Sequence, residues 1–321
     1  MYGYDIFHEN LMQTLISAVR DGVNSHAYIF EGDFGLNVEE AAKLFAAALT
    51  CANTEIAPCG SCPSCISAKA GTNSDIMFVT PDKDRKTVGV KNIRALEADA
   101  SVTPFAAKRK VYVFTDASII TEEAQNALLK TLEEPPEYVA FILMTENADT
   151  LLETIRSRAV IVHFPAVSEN TVREYISQKY PEDKDRLDFL AKYCDGVPKR
   201  ADSVIADETF EPLRKSALNI LPLLLSHRIE DVFKLQNFAN EYKDDFARLL
   251  DLWMSYLRDM LLLQTNAASG IINADKHSEL RSLCAKYDPQ RVVSLLDALM
   301  TAQKMKARYI GPKAIMYWLA L

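Results

Sequence analysis

Short apolar runs alternate with amphipathic helical patterns through the first half of the chain, and this alternation constrains the fold more than any other feature. Short runs that are apolar almost throughout are typical of strands buried on both faces. We therefore predict an α/β domain in which helices cover both faces of a mostly parallel sheet. The predicted strands are 27–30, 75–79, 110–114, 140–144 and 160–164, so this domain ends near Pro165.

The predicted helices of this domain lie before and between those strands, and their apolar residues recur at helical spacing. Asn37 is expected to cap the second helix, with Glu40 as its capping-box partner. Thr121 is expected to cap a later helix, which Pro135 and Pro136 end. The predicted helices are 10–20, 38–50, 90–100, the segment that follows Thr121, and 151–156.

From residue 168 onward the sequence shows helical periodicity and no strand-like run. Breaks at Pro181 and at Gly196 separate short amphipathic pieces, whereas the patterns beyond Glu211 are typical of an all-α domain. We therefore predict three domains, with the bounds 1–166, 167–207 and 208–321.

The charge balance argues against a general affinity for polyanions. Lys and Arg total 36 against 44 Asp and Glu, a net charge of −8, so the whole chain is not attracted to phosphate backbones or anionic lipids. No apolar run approaches the roughly 18 residues of a membrane span. Asp5, His8 and Glu9 stand where a secretory signal has a basic start and an apolar block. We expect a cytoplasmic protein without membrane contact.

Four of the six cysteines lie between positions 51 and 65, in the spacing C-x7-C-x2-C-x2-C. Proline and glycine residues among them supply turns that let thiolates converge on one tetrahedral ion, which favours a zinc site over disulfides. Because four thiolates complete the tetrahedral shell, the site is predicted to be structural. Four free cysteines are the alternative interpretation. The predicted zinc ligands are Cys51, Cys59, Cys62 and Cys65.

A degenerate phosphate loop follows the first predicted strand. The pattern G-x-x-x-x-G-K-[ST] begins correctly at Gly32, but Asn37 replaces its second glycine. Val38 stands where a lysine would contact the β- and γ-phosphates, and Glu39 stands where a hydroxyl would bind Mg²⁺. The loop shape is thus expected without its phosphate chemistry. A strand, turn and helix with no nucleotide-binding ancestry is the alternative interpretation.

The second half of an ATPase site would be an apolar strand that ends in paired acids. The strand 110–114 is followed by Thr115 and Asp116, so only one carboxylate remains. Because no phosphate-binding lysine accompanies Asp116, we favour a turn or helix cap over a metal ligand.

Three further stretches, together with the cysteine cluster, carry a resemblance to a known family. His-Ala-Tyr at 26–28 precedes the degenerate loop, and QNALLKTLEEPP occupies 125–136. The stretch 151–159 is similar to a segment that ends in a Ser-Arg-Cys motif, although Ala159 replaces the cysteine. These features resemble the AAA+ clamp-loader family of bacterial DNA polymerase III. The resemblance covers roughly 1–205 by motif, and the rest only by length and helical character.

The resemblance implies an AAA+ module with a zinc-binding insertion, a helical lid, and a collar that joins a five-membered ring. It further implies a non-hydrolysing stator that binds no ATP, beside gamma or tau motor subunits and a delta subunit. That complex would load the sliding clamp on primed DNA. Arg158 is then implied to be an arginine finger that acts in trans on a neighbour's ATP. Without the resemblance, Arg158 reads as a helix-end arginine that bonds backbone carbonyls.

Two other functions remain as alternatives. An active gamma- or tau-type ATPase is opposed by Val38, Glu39 and Thr115. A stand-alone, zinc-dependent nucleic-acid-binding protein is opposed by the net charge, although one run near the carboxyl terminus is basic. Arg200 resembles the lid arginine that senses ATP in active relatives, and its role here stays open. The basic run comprises Lys304, Lys306, Arg308 and Lys313.

Overall fold

The computed structural model of the chain describes residues 3–82, 84–265, 267 and 270–320. The chain divides into two compact units, Met1–Thr171 and Val172–Leu321. The first unit contains the predicted sheet, and the second is helical. The predicted division of the second half of the chain into domains 167–207 and 208–321 stays a prediction.

A five-stranded parallel sheet with the order β2-β3-β4-β1-β5 forms the centre of the first unit. β3 and β4 are buried along their whole length, as the apolar runs predicted. The parallel α/β sheet expected from the sequence is confirmed. The strands are β1 (Ala27–Glu31), β2 (Ile76–Val79), β3 (Lys110–Phe114), β4 (Val139–Thr145) and β5 (Val160–His163).

Helices cover both faces of this sheet. The rings of Tyr28 and Phe30 contact Phe45 on one face, whereas the alternate β1 residues Ala27 and Ile29 belong to the core on the other. This alternation follows from the two-residue period of a strand. The helices of this unit are α1 (Glu9–Arg20), α2 (Val38–Leu49), α3 (Pro63–Lys69), α4 (Val90–Ala100), α5 (Glu122–Glu133) and α6 (Glu153–Arg156).

The predicted capping box at Asn37 is wrong. Asn37 precedes α2 in the left-handed conformation (φ 59°, ψ 33°) and makes no side-chain cap hydrogen bond. Its Nδ2 instead donates to Asp5 Oδ2 at 2.9 Å. An N-cap oxygen reaches the helix from an extended backbone, and a left-handed residue does not have that geometry. The predicted cap at Thr121 is confirmed, because its Oγ1 accepts from the Ala124 N–H at 3.3 Å.

The second unit contains helices joined by turns and loops, with no strand among its described residues. Its core contains a buried arginine, Arg214, which stacks on Phe189 at 3.8 Å and donates to both carboxylate oxygens of Asp275. Helix α7 (Glu169–Lys179) spans the boundary between the units. The remaining helices are α8 (Leu187–Tyr193), α9 (Arg200–Ala206), α10 (Phe210–Ser226), α11 (Val232–Glu241), α12 (Phe246–Gln264), α13 (His277–Cys284), α14 (Pro289–Ala307) and α15 (Pro312–Ala320).

Among the described residues, none of these helices combines the length and apolar character that a bilayer crossing requires.

Candidate functional site

Three neighbouring strands, β3, β4 and β1, end in the same kind of turn at the carboxyl edge of the sheet. In each, the second residue after the strand is Asp or Asn, and its side-chain oxygen caps a short 3₁₀ helix by accepting an N–H from two residues further on. Polar groups at the nucleotide-binding edge of such a sheet are therefore engaged locally. The pairs are Asp33 with Gly35 at 2.8 Å, Asp116 with Ser118 at 2.9 Å, and Asn147 with Asp149 at 2.8 Å.

Asp116 is thus a helix cap, as the sequence favoured, and its Oδ1 also accepts from the Ser118 hydroxyl at 2.6 Å. Thr115 donates its backbone N–H to the Val79 carbonyl at 3.4 Å and continues the sheet. Sequence reasoning missed Asp33 and Asn147. A signal was available, because each is an Asp or Asn two or three residues after a predicted strand.

The degenerate phosphate loop makes a tight turn, but it lacks the lysine that would bind phosphate. Gly32 donates its N–H to the Thr145 carbonyl at 3.0 Å. Asn37 is 1% exposed and left-handed, a conformation that glycine and asparagine adopt more readily than other residues. Val38 is fully buried, so the position of the phosphate-binding lysine points into the core. The Asp5 carboxylate bonds to Asn37 beside this loop.

Negative charge occupies the start of α2. Glu39 and Glu40 lie in its first turn, where a carboxylate interacts favourably with the helix dipole. Both pair with Lys43 one turn further along, at 2.7 Å and 2.8 Å. This lysine is therefore engaged by two carboxylates. A phosphate at the helix start would meet two acids in place of the usual lysine.

Arg158 lies between α6 and β5. Its Nη1 donates to the Thr154 carbonyl at 2.8 Å and contacts Ser157 Oγ at 3.3 Å, while Nη2 donates to Glu133 Oε1 at 2.6 Å. The side chain remains 34% exposed. The structure thus shows the helix-end arrangement within this chain. Glu133, at the last position of α5, is a partner that the sequence did not reveal.

The structure does not bring Arg158 to the phosphate loop of its own chain. Arg158 precedes β5, whereas Gly32 follows β1, and these strands are parallel neighbours with Val160 opposite Tyr28. At ~3.3 Å per residue, the three steps along a four-residue strand alone separate its two ends by about 10 Å. The two features therefore lie at opposite edges of the sheet.

The four predicted zinc ligands come together. Their sulfur atoms all lie within 4.8 Å of one another, and Cys59 and Cys65 are 4.0 Å apart. Four sulfurs around a zinc ion, each ~2.3 Å from it, would be about 3.8 Å apart. Backbone N–H groups point at these sulfurs, as Cys59 N to Cys51 Sγ (3.4 Å) and Cys62 N to Cys59 Sγ (3.3 Å) illustrate. The cluster could hold a metal ion.

Local structure creates this convergence. Gly60 adopts φ 73°, in the left-handed region that glycine tolerates, and Pro63 begins α3 directly after Cys62.

The thiol groups of the cluster have different surroundings, and their pKa values differ as a result. Burial raises the pKa of Cys51, whereas hydrogen bonds from the backbone of Ser61 and Cys62 lower the pKa of Cys59 to about 6. A cation would favour the ionised form of all four sulfurs.

Two features of the second unit lie apart from these sites in sequence. Arg200 begins α9 and lines a cleft of about 610 Å³ with Asp251 and Arg258. In the basic run near the carboxyl terminus, Lys304, Arg308 and Lys313 are exposed and Lys306 is half-buried. Cations in the last turn of α14 also complement its dipole.

Comparisons with known proteins agree with the fold and the motifs. The family described as "DNA polymerase III, delta subunit" matches residues 7–168, and "DNA polymerase III, delta subunit, C terminal" matches 210–311. The Bacillus subtilis DNA polymerase III subunit delta' is 26% identical over 97% of this chain and 94% of its own length. The resemblance predicted from the sequence, which was nearest to the delta-prime subunit, is therefore confirmed.

Other relatives belong to the tau class. The Bacillus subtilis DNA polymerase III subunit tau is 28% identical over 93% of this chain, which spans 57% of that longer relative. A crystal structure of a gamma subunit-related protein from Thermotoga maritima shares 19% identity over 97% of both chains, with a TM-score of 0.47. The identities of 28% to the tau subunit and 26% to the delta' subunit do not distinguish these two classes. The delta-subunit family model matches half of the chain. The chain belongs to the DNA polymerase III delta-subunit family.

Proposed function

We propose that the chain is the non-hydrolysing delta-prime subunit of a DNA polymerase III clamp loader and that it neither binds nor hydrolyses ATP. The observation that carries this proposal is the state of the phosphate loop. Its lysine position is the buried Val38, its helix start carries Glu39 and Glu40, and Asp33 accepts the Gly35 N–H. Backbone N–H groups and a lysine are what such loops offer to phosphates.

The proposal extends to the assembly. The subunit occupies one position of a five-membered ring with gamma or tau and delta subunits, in the cytoplasm, and the complex places the sliding clamp on primed DNA. The tau and delta' relatives support such a partnership. This chain contributes no ATPase activity of its own to the polymerase holoenzyme.

Arg158 is the residue that we assign to the reaction, as an arginine finger in trans. Its position at the edge opposite the loop of its own chain supports action on a neighbour. A guanidinium stabilises negative charge on the transferring phosphoryl group. The ion pair with Glu133 is not an obstacle, because exposed pairs contribute only about 0–1 kcal/mol.

We assign zinc to the cysteine cluster. Four thiolates fit the tetrahedral preference of zinc and leave no position open for water, so the ion would be structural. The cluster includes Cys62, which caps α3, and Cys51, which follows α2, so a bound ion would join these two helices.

The decisive experiment is a calorimetric titration of the purified full-length chain with a slowly hydrolysed ATP analogue and Mg²⁺. A purified motor subunit, titrated under the same conditions, is the positive control. Absence of heat from this chain, with binding by the motor subunit, supports the non-hydrolysing assignment. Saturable binding by this chain would overturn it and favour the active gamma- or tau-type ATPase.

The stand-alone nucleic-acid-binding alternative has its own test. The exposed residues Lys304, Arg308 and Lys313 are the groups that would contact phosphates. We expect the isolated chain to bind single- or double-stranded DNA only weakly, with fluorescence anisotropy as the measurement. Tight binding that the charge reversal Arg308→Glu abolishes would favour the alternative.

A further inference from the structure

Glu133 occupies a position that local helix energetics disfavour. It is the last residue of α5, and a carboxylate at the carboxyl end of a helix faces the negative end of the dipole. The adjacent Glu134 caps the same end, where it adds like charge. Helix stability thus gives no reason for an acid here, and the contact with Arg158 is the interaction that distinguishes Glu133 from Glu134.

The Glu133 contact completes a frame around the Arg158 guanidinium. Nη1 donates to the Thr154 carbonyl and contacts Ser157 Oγ, and Nη2 donates to Glu133 Oε1 at 2.6 Å. A guanidinium has five N–H donors in one plane, so these contacts fix the plane and leave donors unused. These contacts favour one orientation of a flexible side chain that remains 34% exposed.

The backbone on both sides of this pair is anchored in the core. Leu132 beside Glu133 is 1% exposed, and Ile155, near Arg158, is fully buried. Gln125 joins the two helices directly, because its Oε1 accepts from the Leu152 N–H at 2.8 Å at the start of α6. The separation of Glu133 and Arg158 is therefore set by the core and not by the loop alone.

We infer that Glu133 is a positioning residue, whose carboxylate accepts a hydrogen bond from Arg158 and thereby presents the guanidinium to the phosphate of a neighbouring subunit. This inference rests on the proposed trans role of Arg158. Preorganisation of this kind acts on the transition state, since a finger that is already oriented loses less freedom when the phosphoryl group moves. Glu133 contacts no substrate itself.

The test uses the reconstituted complex with motor subunits, clamp and primed DNA, and steady-state ATPase rates. Glu133→Ala removes the acceptor, Glu133→Gln keeps an acceptor oxygen, and Glu134→Ala is the matched control one residue away. We expect Glu133→Ala to lower kcat about three- to tenfold with little change in KM for ATP. Glu133→Gln retains at least half of the wild-type kcat, and Glu134→Ala leaves it unchanged.

Combination with Arg158→Ala separates the two proposals. If Glu133 acts through Arg158, Glu133→Ala causes no further loss in the Arg158→Ala background. Equal kcat values for Glu133→Ala and Glu134→Ala, or a Glu133→Gln variant as impaired as Glu133→Ala, would overturn the positioning role alone. An Arg158→Ala complex with a normal rate would overturn the trans role itself. Thermal unfolding of each variant checks that the exposed substitutions leave the fold intact.

Discussion

A Cβ atom added to Gly32 would lie 2.7 Å from both the Cβ and the carbonyl oxygen of Phe164. The chain beyond β5 is held there by a hydrogen bond of 2.7 Å from the Phe164 N–H to the Glu31 carbonyl. The one glycine that matches the phosphate-loop pattern at its start is therefore required by packing. Its presence carries no information about nucleotide binding.

Substitution Gly32→Ala should therefore destabilise the first unit. Since one close neighbour is backbone and cannot rotate away, we expect a loss of roughly 1–3 kcal/mol, the range of overpacking substitutions. Urea unfolding followed by circular dichroism measures it. Gly311→Ala is the control, because a Cβ there meets no atom within 4 Å. Equal stability of the two variants would show that the Phe164 segment moves aside.

Asn37 gives a second prediction, which concerns backbone conformation. In Asn37→Val, a β-branched residue must adopt φ 59°, so we expect a loss of about 1–2 kcal/mol. Asn37→Gly removes the same hydrogen bond to Asp5 but accommodates the left-handed conformation, and it should be the less destabilised variant. Urea midpoints of the two proteins test this order. The reverse order would mean that burial of the valine side chain outweighs the strain of the left-handed backbone.

The cysteine cluster predicts a metal-dependent fold. The wild-type chain should contain one zinc ion per molecule, and Cys59→Ser combined with Cys62→Ser should lose it and melt at a lower temperature. Elemental analysis and thermal unfolding with and without a chelator provide the measurements. Cys284→Ser is the control, since Cys284 lies outside the cluster in sequence and structure. A zinc-free wild-type protein, or a double variant with unchanged melting, contradicts the prediction.

The sequence predicted the sheet well because burial determines both the pattern and the fold. The apolar run at 110–114 forms β3 with the predicted bounds, and β4 extends one residue beyond its prediction at each end. The cysteine spacing also predicted the convergence of four sulfurs. These features depend on residues close in sequence or on uniform burial.

Features that depend on distant residues were not predictable. The Asn37 side chain donates a hydrogen bond to Asp5 and makes none to its own helix. No local sequence pattern predicts its left-handed conformation. The pair of Glu133 and Arg158 joins residues 25 positions apart, so its existence requires the packing of α5 against α6. For Asn37 a tertiary contact replaced the local helix cap, whereas for Arg158 a tertiary contact is added to the local bond with the Thr154 carbonyl.

Asp207 provides a prediction about acid stability. Hydrogen bonds from the hydroxyl and N–H of Thr209, together with the Arg248 guanidinium, lower its pKa to about 2. A carboxyl group whose pKa is lower in the folded state stabilises the fold above its unfolded pKa, ~3.9, and loses this contribution as the pH falls towards 2. Asp207→Asn should therefore be less stable than wild type at pH 6, and the difference should shrink between pH 4 and pH 2.

Urea unfolding at pH 6, 4 and 3 tests this pH dependence. The neighbouring Glu208→Gln is the control, because it removes the same charge from an exposed position. A stability difference for Asp207→Asn that stays constant over this range would contradict the lowered pKa of Asp207 in the folded chain.

Arg158 yields the prediction that bears most directly on function. In the reconstituted complex, Arg158→Ala should assemble normally but show a depressed DNA-stimulated ATPase rate, since removal of an arginine finger costs about 10³–10⁵ in other phosphoryl-transfer systems and less where neighbouring sites remain intact. Arg158→Lys should recover little of the rate, because a lysine keeps the charge but not the planar fork of donors.

The matched control for this experiment is Arg156→Ala. Arg156 lies two residues away and pairs with Asp149 at 2.5 Å, so its removal deletes the same charge without touching the Glu133 frame. Size-exclusion chromatography verifies assembly, and ATP turnover with primed DNA and clamp provides the rate. If the Arg158→Ala complex turns over ATP as fast as the Arg156→Ala and wild-type complexes, Arg158 has only the helix-end role that its bond to the Thr154 carbonyl shows. The charge on the phosphoryl group would then be stabilised by another subunit.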